Sequence, residues 1–393
     1  MKKNLSIVIG LAMAISMGTS CFAKDEVSSS GTTESTVSQD ISDYSNFTLD
    51  NLLKLIETNN KEIQMIDQKI LLYQRQFDRD HQNALSYADK DKSNYPAGQY
   101  ASIKVLMDVV PRQDQQNIKD AENERKETLQ NIKFSLEGQY LNAVSCQRQI
   151  AVINSQIENM DKQIEQTNAK IKQGQLTSDA LENLEVQKSN FITSLNTPKA
   201  QLQQYELNIK QAINVDLNMD VTLQEIGREF GKFDDSNIQS RIDQAVNNCY
   251  DLQKITNNIE TLKIQEAIYK KYSYNDATGE VSAGLNIQDA QNSIYTTQLG
   301  KRVELWNQYY TLKNSEDTVN TQQIKVDNAK MNYDIAQAKV NAGVLTQVEL
   351  DSYALALESE NVNLKNAVDN YMILSDQFEY ALTKDLPATS SND

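Results

Sequence analysis

The apolar side chains of residues 150–171 recur in alternating steps of three and four, with polar Thr167 at one place in the series. They are Ile150, Ile153, Ile157, Met160, Ile164 and Ile171. This heptad spacing is typical of α-helices that wind closely around one another. It returns with smaller side chains between Val319 and Val340, and again between Leu350 and Tyr371. Because only 12 glycines and 4 prolines interrupt 393 residues, the sequence predicts a mainly α protein of long antiparallel coiled-coil hairpins.

Two similar glycine elements follow the first two heptad runs. "KIKQGQLTSDAL" covers residues 170–181, and "KVNAGVLTQVEL" covers residues 339–350, an offset of 169. At this offset the shared positions are Gly174 and Gly343, Leu176 and Leu345, Thr177 and Thr346, and Leu181 and Leu350. We therefore predict a tandem duplication, with repeats at 47–215 and 236–384 joined by a linker at 216–235.

Each glycine element predicts the tip of a helical hairpin. Gly343 can adopt the left-handed conformation that ends a helix, and Thr346 suits the N-cap of the next. Glu349 stands where it completes a capping box, and Leu345 with Leu350 fits a hydrophobic staple. The first copy keeps this pattern except at Ala180, which replaces the glutamate.

The segment between the opening helix and the long helix differs in the two repeats. Ala101–Val110 is rich in apolar and β-branched residues, and Val281, Ala283, Leu285 and Ile287 alternate with small or polar residues. Alternation with a period of two favours half-buried strands. We therefore expect short β segments at the end of the molecule opposite the tips.

The amino terminus has the pattern of a secretory signal, with Lys2 and Lys3 before an apolar stretch and cleavage expected after Ala23. Lipidation of Cys21 is the alternative. Residues 24–46 and 385–393 have the composition of a disordered leader and tail. The net charge is −16, or −18 without the two lysines of the signal, which argues against nucleic acid as a partner. Neither a catalytic constellation nor a cofactor or metal motif is present in the sequence, so we expect no enzyme activity and no cofactor.

Residues 47–384 resemble the TolC family of outer-membrane efflux proteins. The resemblance rests on the duplication, on the opening "TLDNLLKLIETNNKEI" and on the two G-x-L-T elements. It implies that three chains form a passive, hollow helical tunnel in the cell envelope, in the outer membrane if the organism has one. It also implies that the hairpin tips meet an adaptor, or membrane-fusion protein, of an inner-membrane pump or secretion ATPase.

The resemblance also assigns roles near the tips. Glu349 falls on an acidic position that lines the tunnel entrance in the family, Asp351 is close to another, and Asp179 lies one residue out of register with such a position. Val340 and Leu345 replace the tyrosine and arginine of the family's gate, so that gate network is not expected here. The variable segments are short for the family's membrane-spanning strands, which predicts reduced or missing β-barrel segments. A structural coiled-coil protein of the cell envelope, without a channel, is the alternative.

Overall fold

The computed structural model describes residues 46–88, 92–95, 99–220, 222–273 and 277–387. The predicted signal peptide and nearly all of the predicted leader lie outside these residues, as does the tail beyond residue 387. The first half of the chain contains β1 (Asn46–Phe47), α1 (Leu49–Asn59), α2 (Lys61–Ser86), a 3-10 turn (Lys92–Asn94), α3 (Gln99–Asp108), α4 (Val110–Lys172), α5 (Asp179–Ser194) and α6 (Asn196–Ala212). The second contains β2 (Thr222–Leu223), α7 (Ile238–Asn248), α8 (Tyr250–Tyr272), α9 (Thr278–Asn341) and α10 (Gln347–Thr383).

The prediction of a mainly α protein with long helices is confirmed. Helix α4 has 63 residues and α9 has 64, so each extends about 95 Å at 1.5 Å per residue. Pro111 lies in the first turn of α4, where the amide that proline lacks would have no helical partner. Among the helices in the described ranges, none combines the length and the apolar character needed to cross a bilayer.

The strands predicted in the two variable segments are wrong. Residues 101–108 lie in α3, and residues 281–287 lie in the first turns of α9. In α9, Ala283 and Ile287 are buried, whereas Val281 and Leu285 are exposed. Each pair is four residues apart and therefore occupies one face of a helix. Two interleaved helical stripes thus imitate the alternation of a strand.

The long helices pack side by side in a fixed order. Helix α10 lies between α4 and α9, and α5 with α6 packs along α4. Towards the other end, α2 packs on α4, and α8 packs on α9. Leu136 and Tyr140 of α4 are fully buried in one apolar cluster with Ile209 of α6. Leu312 and Val319 of α9 share a second cluster with Tyr371 of α10. The four-helix order α5/α6–α4–α10–α9 leaves α5/α6 and α9 as its two edges.

The segment that joins the two halves crosses the interface between α4 and α10 and forms hydrogen bonds and ion pairs there. The β2 strand pairs in parallel with β1. Arg148 of α4 is buried and lies 2.9 Å from the buried carboxylate of Asp369 on α10. The same guanidinium donates to the Ile226 carbonyl at 2.7 Å and lies 3.2 Å from Glu225. One arginine therefore joins both hairpins to the linker.

Candidate functional site

The tip between α9 and α10 has the geometry predicted from its sequence. Gly343 has φ of 71°, in the left-handed region, and its amide donates to the Val340 carbonyl at 2.9 Å. The next amide, of Val344, donates to the Lys339 carbonyl at 2.9 Å, so the last carbonyls of α9 are satisfied. Thr346 is the N-cap of α10, and its side chain accepts from the Glu349 amide in a complete capping box.

The tip between α4 and α5 differs in how its second helix begins. Gly174 has φ of 73°, and the two closing backbone bonds are again present. However, α5 begins at Asp179, and its N-cap is Ser178 without a side-chain cap bond, so Thr177 does not cap. Ala180 cannot return a hydrogen bond to the cap as Glu349 does. The two glycine turns are therefore alike, whereas only the second tip has the capping box.

The three acidic residues predicted near the tips differ in the hydrogen bonds that their carboxylates accept. Glu349 accepts from the Thr346 amide at 2.8 Å and from the Thr346 hydroxyl at 2.9 Å, and these bonds hold the pKa of its carboxyl below the ordinary value. Asp351 accepts from the Gln347 side chain at 2.9 Å. Asp179 is exposed at the start of α5, on the other hairpin. Glu349 and Asp179 lie in a first helical turn, where the helix dipole favours negative charge, and Asp351 follows directly after the first turn of α10.

The apolar tip residues are unequally covered. Leu350 and Val348 are buried, Leu345 and Leu181 are half-buried, and Leu176 is exposed. Val344, in the second tip, is the most exposed of the large apolar residues in the described part of the chain, at 74%. The tips thus present apolar side chains to solvent beside the charged first turns.

A buried polar network, not foreseen from the sequence, joins α4 to α10 just behind the tips. Asn159 is buried and donates to the Val348 carbonyl at 3.2 Å. Its side-chain oxygen accepts from Ser352 at 3.1 Å and from Gln163 at 2.6 Å. Asn159 adjoins Met160 in the heptad run, and a polar residue in such a seam can specify how helices align. The position of Asn159 in the heptad run is the sequence signal from which this network could have been predicted.

Helix α9 has apolar stripes on two opposite faces. Leu312, Val319, Val326 and Ala336 are buried on one face. The exposed large apolar residues of α9 are Val281, Leu285, Tyr295, Leu299, Val303, Tyr310, Ile324, Met331 and Ile335, each between 47% and 69% exposed. At about 100° per residue these nine fall within an arc of about 80° opposite the buried face. We call them the α9 outer stripe. A groove of about 460 Å³ beside Met331 and Ile335 belongs to this face.

The opposite edge carries a narrower stripe with the same repeat. Val186, Thr193, Ala200 and Leu207 are exposed and follow each other every seven residues through α5 and α6. Val186 is 60% exposed and Leu207 is 45% exposed. The buried face of α6, with Pro198 and Ile209, is on its other side. We call these four residues the α5/α6 outer stripe.

The described residues offer little that resembles an enzyme site. No group of three or more His, Cys, Asp or Glu side chains in these ranges could hold a metal ion. Cys146 and Cys249 are both buried free thiols, and burial raises the pKa of each. Such thiols are poor nucleophiles, since the thiolate is the reactive form.

The fold of the chain is that of known outer-membrane channels, although no family model and no curated protein matches the sequence. A structure of CusC, reported with the conformational changes of transmembrane channel formation, has a TM-score of 0.64 at 10% identity, covering 85% of this chain and 91% of that one. The CmeC outer membrane channel of Campylobacter jejuni has a TM-score of 0.62 at 11% identity, covering 88% and 87%. The outer membrane protein VceC of Vibrio cholerae has a TM-score of 0.55 at 11% identity, covering 86% and 95%. The predicted resemblance to TolC-type channels is thereby confirmed for the fold.

Proposed function

We propose that this protein is a passive export duct of the cell envelope, in which three copies close a ring of helices around a lumen. The observation that carries the proposal is the open order of the long helices, which leaves an apolar stripe on each edge. An interface between two different edges is head-to-tail, and such interfaces generate closed rings when the rotation closes. The fold shared with outer-membrane channels supports the same conclusion.

The partners follow from this function. An adaptor protein of an inner-membrane pump or secretion ATPase would engage the tips, where Leu176 and Val344 are exposed. An outer membrane is the expected location where the organism has one, following the export predicted for residues 1–23. Glu349, Asp351 and Asp179 would line the entrance. Their charge would favour cations and disfavour anions, as rings of carboxylates do in other pores.

The test is the mass and appearance of the purified protein. Light scattering should give three times the mass of one chain, and electron micrographs should show end views with a central hole. A monomer at every concentration would contradict the duct. A solid oligomeric rod without a hole would instead favour a structural coiled-coil protein of the envelope, which is the alternative. Crosslinks that place Gly174 far from Gly343 would also count against the duct.

A further inference from the structure

Two aspartate side chains meet between α2 and α4, at the end of the molecule away from the tips. Asp114 of α4 precedes Gly174 by 60 residues, or about 90 Å along the helix axis. It is only 4% exposed, although aspartates are rarely buried unless they have a partner. The side chain of Asp80 in α2 lies within hydrogen-bonding reach of it. We call Asp80 and Asp114 the acid pair.

The hydrogen bonds of the acid pair leave one buried oxygen unsatisfied. Oδ1 of Asp114 accepts from the Gln76 amide at 3.1 Å, whereas Oδ2 is buried and has no hydrogen-bond partner among the described residues. Both oxygens of Asp80 accept from the Arg79 guanidinium, Oδ1 at 2.9 Å and Oδ2 at 3.2 Å. An ionised carboxylate only accepts hydrogen bonds, so two ionised aspartates cannot satisfy each other. One proton on Oδ2 of Asp114 makes that atom a donor.

The surroundings of the two carboxyl groups differ in a way that selects which one is protonated. The hydrogen bond from Arg79 lowers the pKa of Asp80 below its ordinary value. Burial, followed by the charge of Asp80, raises the pKa of Asp114 above its ordinary value. The environment therefore favours the ionised form of Asp80 and the neutral form of Asp114.

Charged groups on the neighbouring helices bind other partners. Lys104 of α3 forms an ion pair with Asp108 of the same helix at 2.8 Å. On α8, Lys254 lies 2.7 Å from the Asp120 carboxylate of α4, and the Tyr250 hydroxyl donates to that carboxylate at 2.7 Å. A divalent cation fits the acid pair poorly, because Ca²⁺ and Mg²⁺ take about six or more oxygen ligands. A proton needs only the two carboxyl groups.

We propose that Asp114 keeps a proton at pH values where exposed aspartates are ionised, and that its hydrogen bond to Asp80 is a pH-dependent clasp between α2 and α4. This inference goes beyond the proposed duct and does not depend on it. As pH rises the proton leaves, two negative charges face each other in a buried site, and α2 separates more readily from α4. A group whose pKa is raised on folding stabilises the protein below its unfolded pKa, ordinarily 3.8 for this carboxyl. That stabilisation is lost as pH rises through the folded pKa.

Infrared spectra of the full chain test where the proton is. The carbonyl band of a protonated carboxyl group should persist in the wild type at a pH where exposed aspartates are ionised, and Asp114→Asn should remove it. Asp78→Asn changes an exposed aspartate of α2 and is the matched control, which should keep the band. Asp80→Asn removes the charge that faces Asp114, so the band should titrate at lower pH. If Asp114→Asn removes no band of this kind, the proposal is wrong.

Hydrogen exchange tests the clasp itself. The Asp114→Asn side chain keeps a donor for Asp80 and an acceptor for Gln76, so this variant imitates the protonated acid at every pH. In acid, the amides of residues 76–86 should exchange at equal rates in the wild type and in Asp114→Asn. In mildly alkaline solution the wild type should exchange about three- to tenfold faster, since each unit of pKa shift changes the opening equilibrium by up to about tenfold. Both proteins are compared at one pH, so the intrinsic effect of pH on exchange cancels.

Two results of the exchange experiment would overturn the clasp. The first is equal exchange in the two proteins at every pH. The second is protection of the wild type by CaCl₂ or MgCl₂ that Asp114→Asn does not show, because the acid pair would then hold a cation instead of a proton. Neither result bears on the duct, which is tested by mass and by electron micrographs.

Discussion

The side-chain hydroxyl of Thr346 caps the N-terminus of α10, whereas the matching Thr177 forms no cap bond for α5. We therefore expect Thr346→Ala to lower the free energy of unfolding by about 1 kcal/mol, the usual effect of losing an N-cap. Thr177→Ala is the matched control and should change it by much less. Urea denaturation of both variants makes the comparison. Equal losses in the two variants would show that the capping box does not distinguish the tips.

The carboxylate of Glu349 makes the stability of the same turn depend on pH. Hydrogen bonds from Thr346 lower the pKa of Glu349 below its ordinary value of 4.5. A group whose pKa is depressed on folding stabilises the protein above its unfolded pKa, and the stabilisation is lost as pH falls through the folded pKa. Glu349→Ala should therefore destabilise the protein at neutral pH, and the deficit should shrink below pH 4.5. A deficit that stays constant down to strongly acidic pH would contradict a charged cap.

The tip residues also show what could be predicted from sequence at this scale. Gly174, Gly343 and the Thr346–Glu349 pair were predicted because turns and caps depend on neighbouring residues. Asn159 was not, because its partners Val348 and Ser352 are about 190 residues away and become neighbours only when α4 packs on α10. The roles of Glu349, Asp351 and Asp179 at an entrance stay predictions.

Helices α4, α9 and α10 were predictable because a heptad repeat over many turns admits few other structures. The variable segments were mispredicted because α9 is apolar on two faces. Val281 and Leu285 belong to its outer stripe, whereas Ala283 and Ile287 pack on its inner side. A period of two arises wherever two such stripes interleave. The length of the pattern distinguishes a helix with two apolar faces from a strand. The pattern continues along α9 to Ile335, far beyond the length of an ordinary strand.

Arg148 holds α4, α10 and the linker together, and its loss should separate these elements. Arg148→Ala leaves the Asp369 carboxylate buried without its partner, so we expect a loss of about 3–5 kcal/mol in the free energy of unfolding. Lys69→Ala, which breaks the exposed pair with Glu124, is the control and should cost less than about 1 kcal/mol. The double variant Arg148→Met with Asp369→Leu should recover much of the loss. A small effect of Arg148→Ala, no larger than the control, would mean that the junction does not depend on this pair.

At the scale of the whole molecule, the two edges of the helix layer each have a face that the described part of the chain leaves uncovered. Each inner helix of the order α5/α6–α4–α10–α9 has neighbours on both sides, whereas the edges expose apolar stripes to solvent. Contiguous exposed apolar surface of this kind marks an interaction site. The two stripes lie on different edges of one chain. Each copy therefore carries both the α9 outer stripe and the α5/α6 outer stripe. In the proposed duct, a second copy would cover these edges.

The two faces of α9 allow assembly and folding to be separated in one experiment. Ile324→Asp with Met331→Asp changes exposed residues of the outer stripe, so the chain should stay helical but become monomeric. Val319→Asp with Val326→Asp is the matched control, because these residues are also seven apart but only 4% and 8% exposed. Burying two carboxylates against α10 should unfold that hairpin. Circular dichroism reads helicity and light scattering reads mass. Loss of helicity in the outer-stripe variant, or an unchanged oligomer, would show that this face of α9 does not join the copies.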